Sequence, residues 1–367
     1  MRLAVVMYTN GALSGGAAKY LRRLIPMFLE REEVTELRLF LPQGALADIP
    51  AEWPVSEWKP VRFSANRIRK MVMEWAPEVV FVPTARWFDT GRAGSVVMVR
   101  NMEPLRIPVG DNGPLDIARQ FVRRLAAKRA CAKADRIIAV SKHVSDWLRD
   151  NWDIGEDRIG IVPHGVDPTA RSVEPEGARG LVGRRFIFSA GSIRPARGIG
   201  DLVDAMAHPE FPADLDIAFA GAVDAGSESY HAKILAALAE RGLSDRFVWL
   251  GRCGPEEMAW GFENCAVFVM TSRAEACPNT VLEAMSHGCL SVSCDTEPMP
   301  EFFQDAALYY ESGDGGSLAR AVGHSLTLPG TGAADIRNMA KARAEDFTWA
   351  KCADRTLALL ARTSATS

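Results

Sequence analysis

Apolar residues in this chain fall into short continuous runs, separated by longer stretches in which they recur every three or four positions. Runs at residues 3–7, 79–82, 95–99 and 136–140 have the length of strands, and a mixed one at 36–41 joins them. Runs without polar breaks predict strands covered on both faces, as in a parallel sheet. Between them Leu21, Leu24, Ile25 and Phe28 repeat at helical spacing, and residues 65–75, 115–133 and 143–151 read as further helices. The alternation returns at 185–190, 215–220, 246–250, 266–270, 290–294 and 307–310, with helices over 316–327 and at the end of the chain. Such alternation predicts βαβ units. Right-handed crossovers then bring every strand-to-helix loop to the carboxyl edge of its sheet, where open α/β sheets bind ligands.

Between the two series lies Ile161-Val162-Pro163-His164-Gly165-Val166-Asp167-Pro168, in which proline restricts the chain and glycine bends it, as a hinge requires. Gly177, Gly180 and Gly183 extend a linker into the second series. With 367 residues and 48% hydrophobic content the chain is long enough for two cored domains. No apolar run approaches the roughly 18 residues of a membrane span. The opening run is too short for a secretory signal core and reads as a first strand. Seven cysteines, an odd number without CxxC pairs, fit free thiols in a reducing compartment. Cys253, Cys265, Cys277 and Cys289 recur every twelve residues, but their flanks do not match and they fall on different elements, so they read as coincidence. The net charge of -3 hides an asymmetry: residues 1–183 carry a net +5 and the remainder a net -8. The basic half suits an anionic acceptor or a membrane surface, and solvated faces alone would also account for it.

Residues 272–288 hold the densest chemistry. Two carboxylates lie between the runs at 266–270 and 290–294: Glu275 in the loop at the carboxyl end of a strand, Glu283 in the first turns of a helix. Pro278 and Asn279 suit the helix start, and Gly288 a left-handed C-cap. Helix starts at such an edge favour phosphate, while carboxylates accept vicinal hydroxyls, so the combination points to a nucleotide carrying a sugar. Thr280-x-x-Glu283 also fits a capping box, which would give Glu283 a purely structural role. Elsewhere Gly15-Gly16, at the mouth of a helix, allows close backbone approach to a ligand or makes a plain tight turn. The fingerprint GxGxxG is absent. Residues 185–199 place Arg194 and Arg197 between a strand and a helix, a diphosphate clamp if Arg194 is more than surface charge. Gly221 ends a strand where backbone can face a nucleotide. Asp214-x-Asp216 matches a metal-binding pair formally, but it precedes a strand and reads as a turn. The 115–133 helix carries Arg119, Arg123, Arg124, Lys128, Arg129 and Lys133 on more than one side, weaker segregation than a membrane-surface helix shows.

Glu275, seven intervening residues, Glu283-Ala284-Met285 and Gly288, continued by Glu297-Pro298-Met299-Pro300-Glu301, resembles the signature of retaining glycosyltransferases of family 4, the group 1 type with the GT-B fold. The likeness extends over nearly the whole chain, is closest at the two glutamates and weakest in the N-terminal half. It implies two Rossmann-like α/β domains facing a central cleft: 1–165 binding the acceptor, 166–345 binding a nucleotide-sugar, and 346–367 a helix crossing back to the first. It implies that Glu275 meets hydroxyls of the transferred sugar and, with Arg197, carries catalysis. Glu283 would hold the ribose, and Gly15, Gly16, Arg194, Gly221, Pro278, Asn279 and Thr280 would complete the donor site. Where many members place a histidine after a strand, this chain has Arg100, followed by Asn101. An arginine cannot act as general base, so Arg100 is expected on the acceptor side or in a structural salt bridge. The activity implied is metal-independent transfer of a hexose, with retention and without a cofactor, from a UDP- or GDP-sugar. The acceptor would be a saccharide, a lipid-linked glycan or a small molecule in polysaccharide biosynthesis. The setting would be cytoplasmic, with peripheral contact to the inner face of the membrane as an option, and nucleic acid is not expected as a partner. A non-catalytic nucleotide-sugar-binding partner and a GT-B epimerase are the alternatives.

Overall fold

A computed structural model describes residues 1–9, 13, 16–45, 49–59, 65–106, 113–167, 171–181 and 183–364. The chain forms two compact units, one of Met1–Leu105, Ala118–Gly165 and Thr348–Ser367, the other of Val166–Phe347 with Arg106–Ile117.

The first unit is built on a seven-stranded parallel sheet. Its strands are β1 (Arg2–Val6), β2 (Glu36–Pro42), β3 (Val55–Trp58), β4 (Val79–Val82), β5 (Gly94–Val99), β6 (Arg136–Ala139) and β7 (Ile159–Ile161), in the order β3-β2-β1-β4-β5-β6-β7. Helices α1 (Gly16–Leu29), α2 (Ala65–Glu74), α3 (Pro114–Lys133, of which the part from Ala118 on belongs to this unit) and α4 (Lys142–Trp152) connect them. Every residue of β4 and β5 is buried, which is why both are continuous apolar runs. Ser141 caps α4, its hydroxyl accepting from the Val144 amide at 3.2 Å.

The second unit carries a six-stranded parallel sheet, β8 (Arg185–Ala190), β9 (Leu215–Ala220), β10 (Phe247–Gly251), β11 (Val267–Met270), β12 (Ser291–Cys294) and β13 (Leu308–Tyr310), in the order β10-β9-β8-β11-β12-β13. Its helices are α5 (Ile199–Met206), α6 (Glu228–Glu240), α7 (Pro255–Asn264), α8 (Asn279–Ser286), α9 (Met299–Phe303), α10 (Gly315–Thr327) and α11 (Gly330–Ala344). The closing helix α12 (Trp349–Ser364) packs in the first unit against α1 and against β4, β5 and β6. There Trp349 lies 6.2 Å from the Tyr20 ring and stacks on His164 at 6.4 Å. Gly165 is needed beside it, because a Cβ would stand 2.3 Å from the Trp349 amide nitrogen.

Asp201, in the first turn of α5, ties the second unit together below its loops. It is 2% exposed. One carboxylate oxygen accepts from Arg273, just beyond β11, at 2.5 Å. The other accepts from the Tyr310 hydroxyl at 2.9 Å and the Gly313 amide at 3.0 Å. Burial, reinforced by the Asp201 charge, pushes the Tyr310 hydroxyl well above its ordinary value and keeps it a donor. A buried carboxylate survives only with such partners. The second buried acid, Asp216 in β9, is held by Arg184 and Arg246, and Asp214 pairs with Arg185. The Asp214-x-Asp216 pair is thus committed to arginines at a strand entry, but Asp216 lies inside β9 rather than in a turn before it, because β9 starts at Leu215.

Removing the Asp201 carboxylate leaves Arg273 and Tyr310 without their acceptor, so Asp201→Ala is expected to cost about 3 kcal/mol, the low end for a broken buried pair because Arg273 is partly exposed. Urea unfolding checks this; a loss below ~0.5 kcal/mol, the range of surface substitutions, would remove Asp201 from the structural account.

Candidate functional site

The order of the second sheet reverses between β8 and β11: from β8 the chain proceeds outward through β9 and β10, from β11 the other way through β12 and β13. A crevice at the carboxyl ends of two such strands is where doubly wound sheets place ligands. The loops that meet there carry Arg194 and Arg197 after β8, and Glu275 after β11.

They are stitched together through carbonyls of the β8 loop. The Arg273 amide donates to the Ala196 carbonyl at 2.8 Å, and the Thr271 hydroxyl to the Arg197 carbonyl at 2.6 Å. Gly198 sits between them at φ +61°, where a Cβ would lie 2.3 Å from the Thr271 carbonyl oxygen, so only glycine lets the loops close. The closure sets Arg197 against Glu275 in an ion pair, with side chains 19% and 13% exposed. Ser272 completes the arrangement. Its hydroxyl accepts from Arg197 Nη1 at 3.2 Å, and lies 2.9 Å from Glu275 Oε1 and 3.2 Å from the Ala196 carbonyl. Having one proton, it donates to one of these at a time. The site therefore offers a planar cation for phosphate oxygens and a carboxylate for sugar hydroxyls, already oriented by a third group.

Arg194 precedes the short turn Pro195–Arg197 and lies 3.4 Å from Asp224, in the loop after β9. Gly221, at the end of β9, is obligatory: a Cβ there would fall 1.9 Å from the Gly191 carbonyl oxygen. Helix α8 starts at Asn279 with Pro278 at the cap position, so Thr280 is inside the first turn rather than before it. The capping box that Thr280-x-x-Glu283 permitted does not form; the Thr280 hydroxyl points to Met270 Sδ at 4.0 Å. Glu283 is half-buried, one turn into the helix. The helix ends as its sequence suggests: Gly288 is left-handed, its amide bonds the Met285 carbonyl, and the Cys289 amide bonds Ala284.

In the first unit Gly16 opens α1, while Gly11 and Gly15 lie outside the described residues. Arg100 follows β5 and sets its guanidinium over the buried Tyr20 ring, 5.8 Å from the centroid, a cation–π contact. The Asn101 side-chain oxygen accepts from the Glu103 amide at 3.0 Å, closing the turn locally. Sequence reasoning missed Thr271, Ser272 and Asp201. The available signal for the first two was a pair of hydroxyl residues directly after a fully apolar strand, at the carboxyl edge.

Comparison with known proteins agrees with this architecture. The model described as glycosyl transferases group 1 matches residues 184–327, and that described as glycosyltransferase family 4 matches residues 14–170. No curated protein matches the chain. Among solved structures, sucrose-phosphate synthase from Thermosynechococcus elongatus is similar with a TM-score of 0.79 and 16% identity, over 100% of both chains. Anabaena HepE, solved with UDP and glucose, has a TM-score of 0.76 and 18% identity over 99% of this chain and 100% of its own. An α,α-trehalose-phosphate synthase (UDP-forming) from Burkholderia vietnamiensis gives 0.70 and 13% over 99% and 100%. With two family models matched in succession along most of its length, on two doubly wound parallel sheets, the chain belongs to the group 1, family 4 glycosyltransferases and has their GT-B fold.

Proposed function

We propose that the protein transfers a hexose, with retention and without a metal, from a UDP- or GDP-sugar to a saccharide, lipid-linked or small-molecule acceptor. On this reading the donor belongs to the unit of β8–β13 and the acceptor to that of β1–β7. The observation that carries it is the meeting of Arg197 and Glu275 at the β8/β11 switch point. Arg197 would take the diphosphate, whose negative charge grows as the anomeric C–O bond breaks. The N-terminus of α8, which opens at Asn279 and Thr280, adds to that field through the helix dipole. Glu275 would accept hydroxyls of the sugar and Glu283 those of the ribose. Gly221 and Pro278 would border the nucleotide, and Arg194 would stand beside the diphosphate.

Retention follows if the acceptor oxygen bonds the anomeric carbon on the face the diphosphate leaves. The acceptor hydroxyl proton then passes to a departing phosphate oxygen, so no side chain need serve as base, and Arg100 is not asked to. The ion pairs of Asp214 and Asp216 with arginines support a reaction in which that pair holds no metal.

A peripheral membrane contact fits α3. Phe121, Val122 and Leu125 are exposed, and about 100° per residue gathers them within an arc of about 100°, opposite buried Ala127, Ala130 and Cys131. Arg119, Lys128, Arg129 and Lys133 lie beside or within that arc. Among the described residues no helix is long and apolar enough to cross a membrane, so the contact would be interfacial.

Three measurements test these statements. In a thermal-shift panel of nucleotides, a ligand at 100 times its dissociation constant is expected to stabilise by about 2.7 kcal/mol; one base series should shift, and Glu283→Ala should abolish the shift. Glu275→Ala and Arg197→Ala should each lower transfer at least ~100-fold, the scale for losing one charge-stabilising group, and full rates in both would show the site to be misassigned. Phe121→Asp with Leu125→Asp should release the protein from sedimented vesicles containing phosphatidylglycerol; unchanged pelleting would count against α3 as the contact.

A further inference from the structure

The first unit has a switch point of its own. Its strand order reverses between β1 and β4, and the loops leaving their carboxyl ends enclose a pocket of about 400 Å³, a size suited to a small ligand. Tyr8, two residues beyond β1, lines it from one side. Arg86, Trp87, Phe88 and Asp89, from the segment after β4, line it from the other, while α2 and α3 contribute Arg69 and Arg129.

Three arginines therefore line one small space. Arg69 is matched: its Nε donates to Asp89 at 3.0 Å. The Gly91 amide first, and Arg69 with it, holds the Asp89 carboxyl below the usual carboxylate range, so that partner stays charged. Arg86 instead lies 5.9 Å from the Tyr8 ring centroid. Among the described residues no carboxylate stands within ion-pair distance of Arg86 or Arg129. The pocket is left with two uncompensated positive charges beside aromatic surface, since Phe88 meets Tyr8 edge to face at 6.2 Å. The indole N–H of Trp87 is buried without an acceptor among the described residues and adds an unused donor.

We infer that this pocket binds an acidic saccharide, its phosphate or carboxylate held by Arg86 and Arg129 and its ring packed on Tyr8, which buried Phe88 supports from behind. The inference rests on the proposal that this unit takes the acceptor, and it names the acceptor's class: a sugar bearing an anion close to the hydroxyl that is glycosylated. Guanidinium forks suit both oxyanions, and aromatic faces suit the apolar face of a pyranose.

The test compares glucose 6-phosphate, glucuronate and glucose as ligands of the full chain by saturation-transfer NMR, with UDP and GDP titrated into the same samples. At least one charged sugar should bind at least tenfold more tightly than glucose. Arg86→Gln with Arg129→Gln should weaken it at least tenfold and leave nucleotide binding unchanged. Equal signals from glucose and both charged derivatives, or undiminished binding by the double variant, would overturn the inference. Displacement of glucose 6-phosphate by phosphatidylglycerol vesicles would overturn it too, by assigning the anion site to a lipid headgroup; retention in their presence supports a sugar. Nucleotide signals read the other proposal independently: charged-sugar binding without them would leave this pocket standing and remove the donor site.

Discussion

A single buried carboxylate underlies the geometry of the loops at the β8/β11 switch point. Asp201 reaches from the first turn of α5 to Arg273 after β11, and to Tyr310 and Gly313 at the end of β13. Three segments far apart in sequence thus share one anion that has almost no access to water. Because an unpaired charge there is costly, the three segments must be in place together or not at all. Arg273 immediately follows Ser272, and Glu275 is two residues further on, so the anchor also determines where the polar groups of that loop can be. The position of Glu275 thus depends on a buried residue in a different loop.

How much could be read beforehand depended on how many elements each feature involves. Strands β4, β5, β11 and β12 are buried throughout, and their apolar runs declared them. Edge strands β3 and β7 did not show: Val55–Trp58 mixes polar and apolar residues, and Ile159–Ile161 spans three residues with none fully buried. The nearness of Arg197 and Glu275 was legible because a parallel sheet forces strand-to-helix loops to one edge. Ser272 and Asp201 were not, since each acts on residues brought near only by folding; an aspartate in a first helical turn looks like a response to the helix dipole. The capping-box reading failed by a small offset: Pro278 takes the cap and leaves Thr280 within the helix. For α3 the cations were visible, yet which apolar residues stay outside depends on what Ala127, Ala130 and Cys131 pack against.

The two switch points differ in electrostatic character. At β8 and β11 the cation and carboxylate neutralise one another, and a third polar group orients both. An entering phosphate competes for an arginine that already has a partner, which favours ligands able to satisfy Arg197 and Glu275 at once. At β1 and β4 one arginine is balanced and two are not, so any suitably sized anion gains. The first arrangement selects; the second attracts.

The crowding of Gly221 against Gly191 has a mechanical consequence. With the Gly191 carbonyl occupying the space of a side chain and its amide bonded to Ala220, the turns after β8 and β9 cannot slide past each other. The Ile193 amide bonds Ala222 as well, so the coupling runs on for several residues. These turns form one stiff plate. A ligand that displaced either would have to carry both, and adaptation to sugars of different shape falls instead to parts of the wall outside that plate.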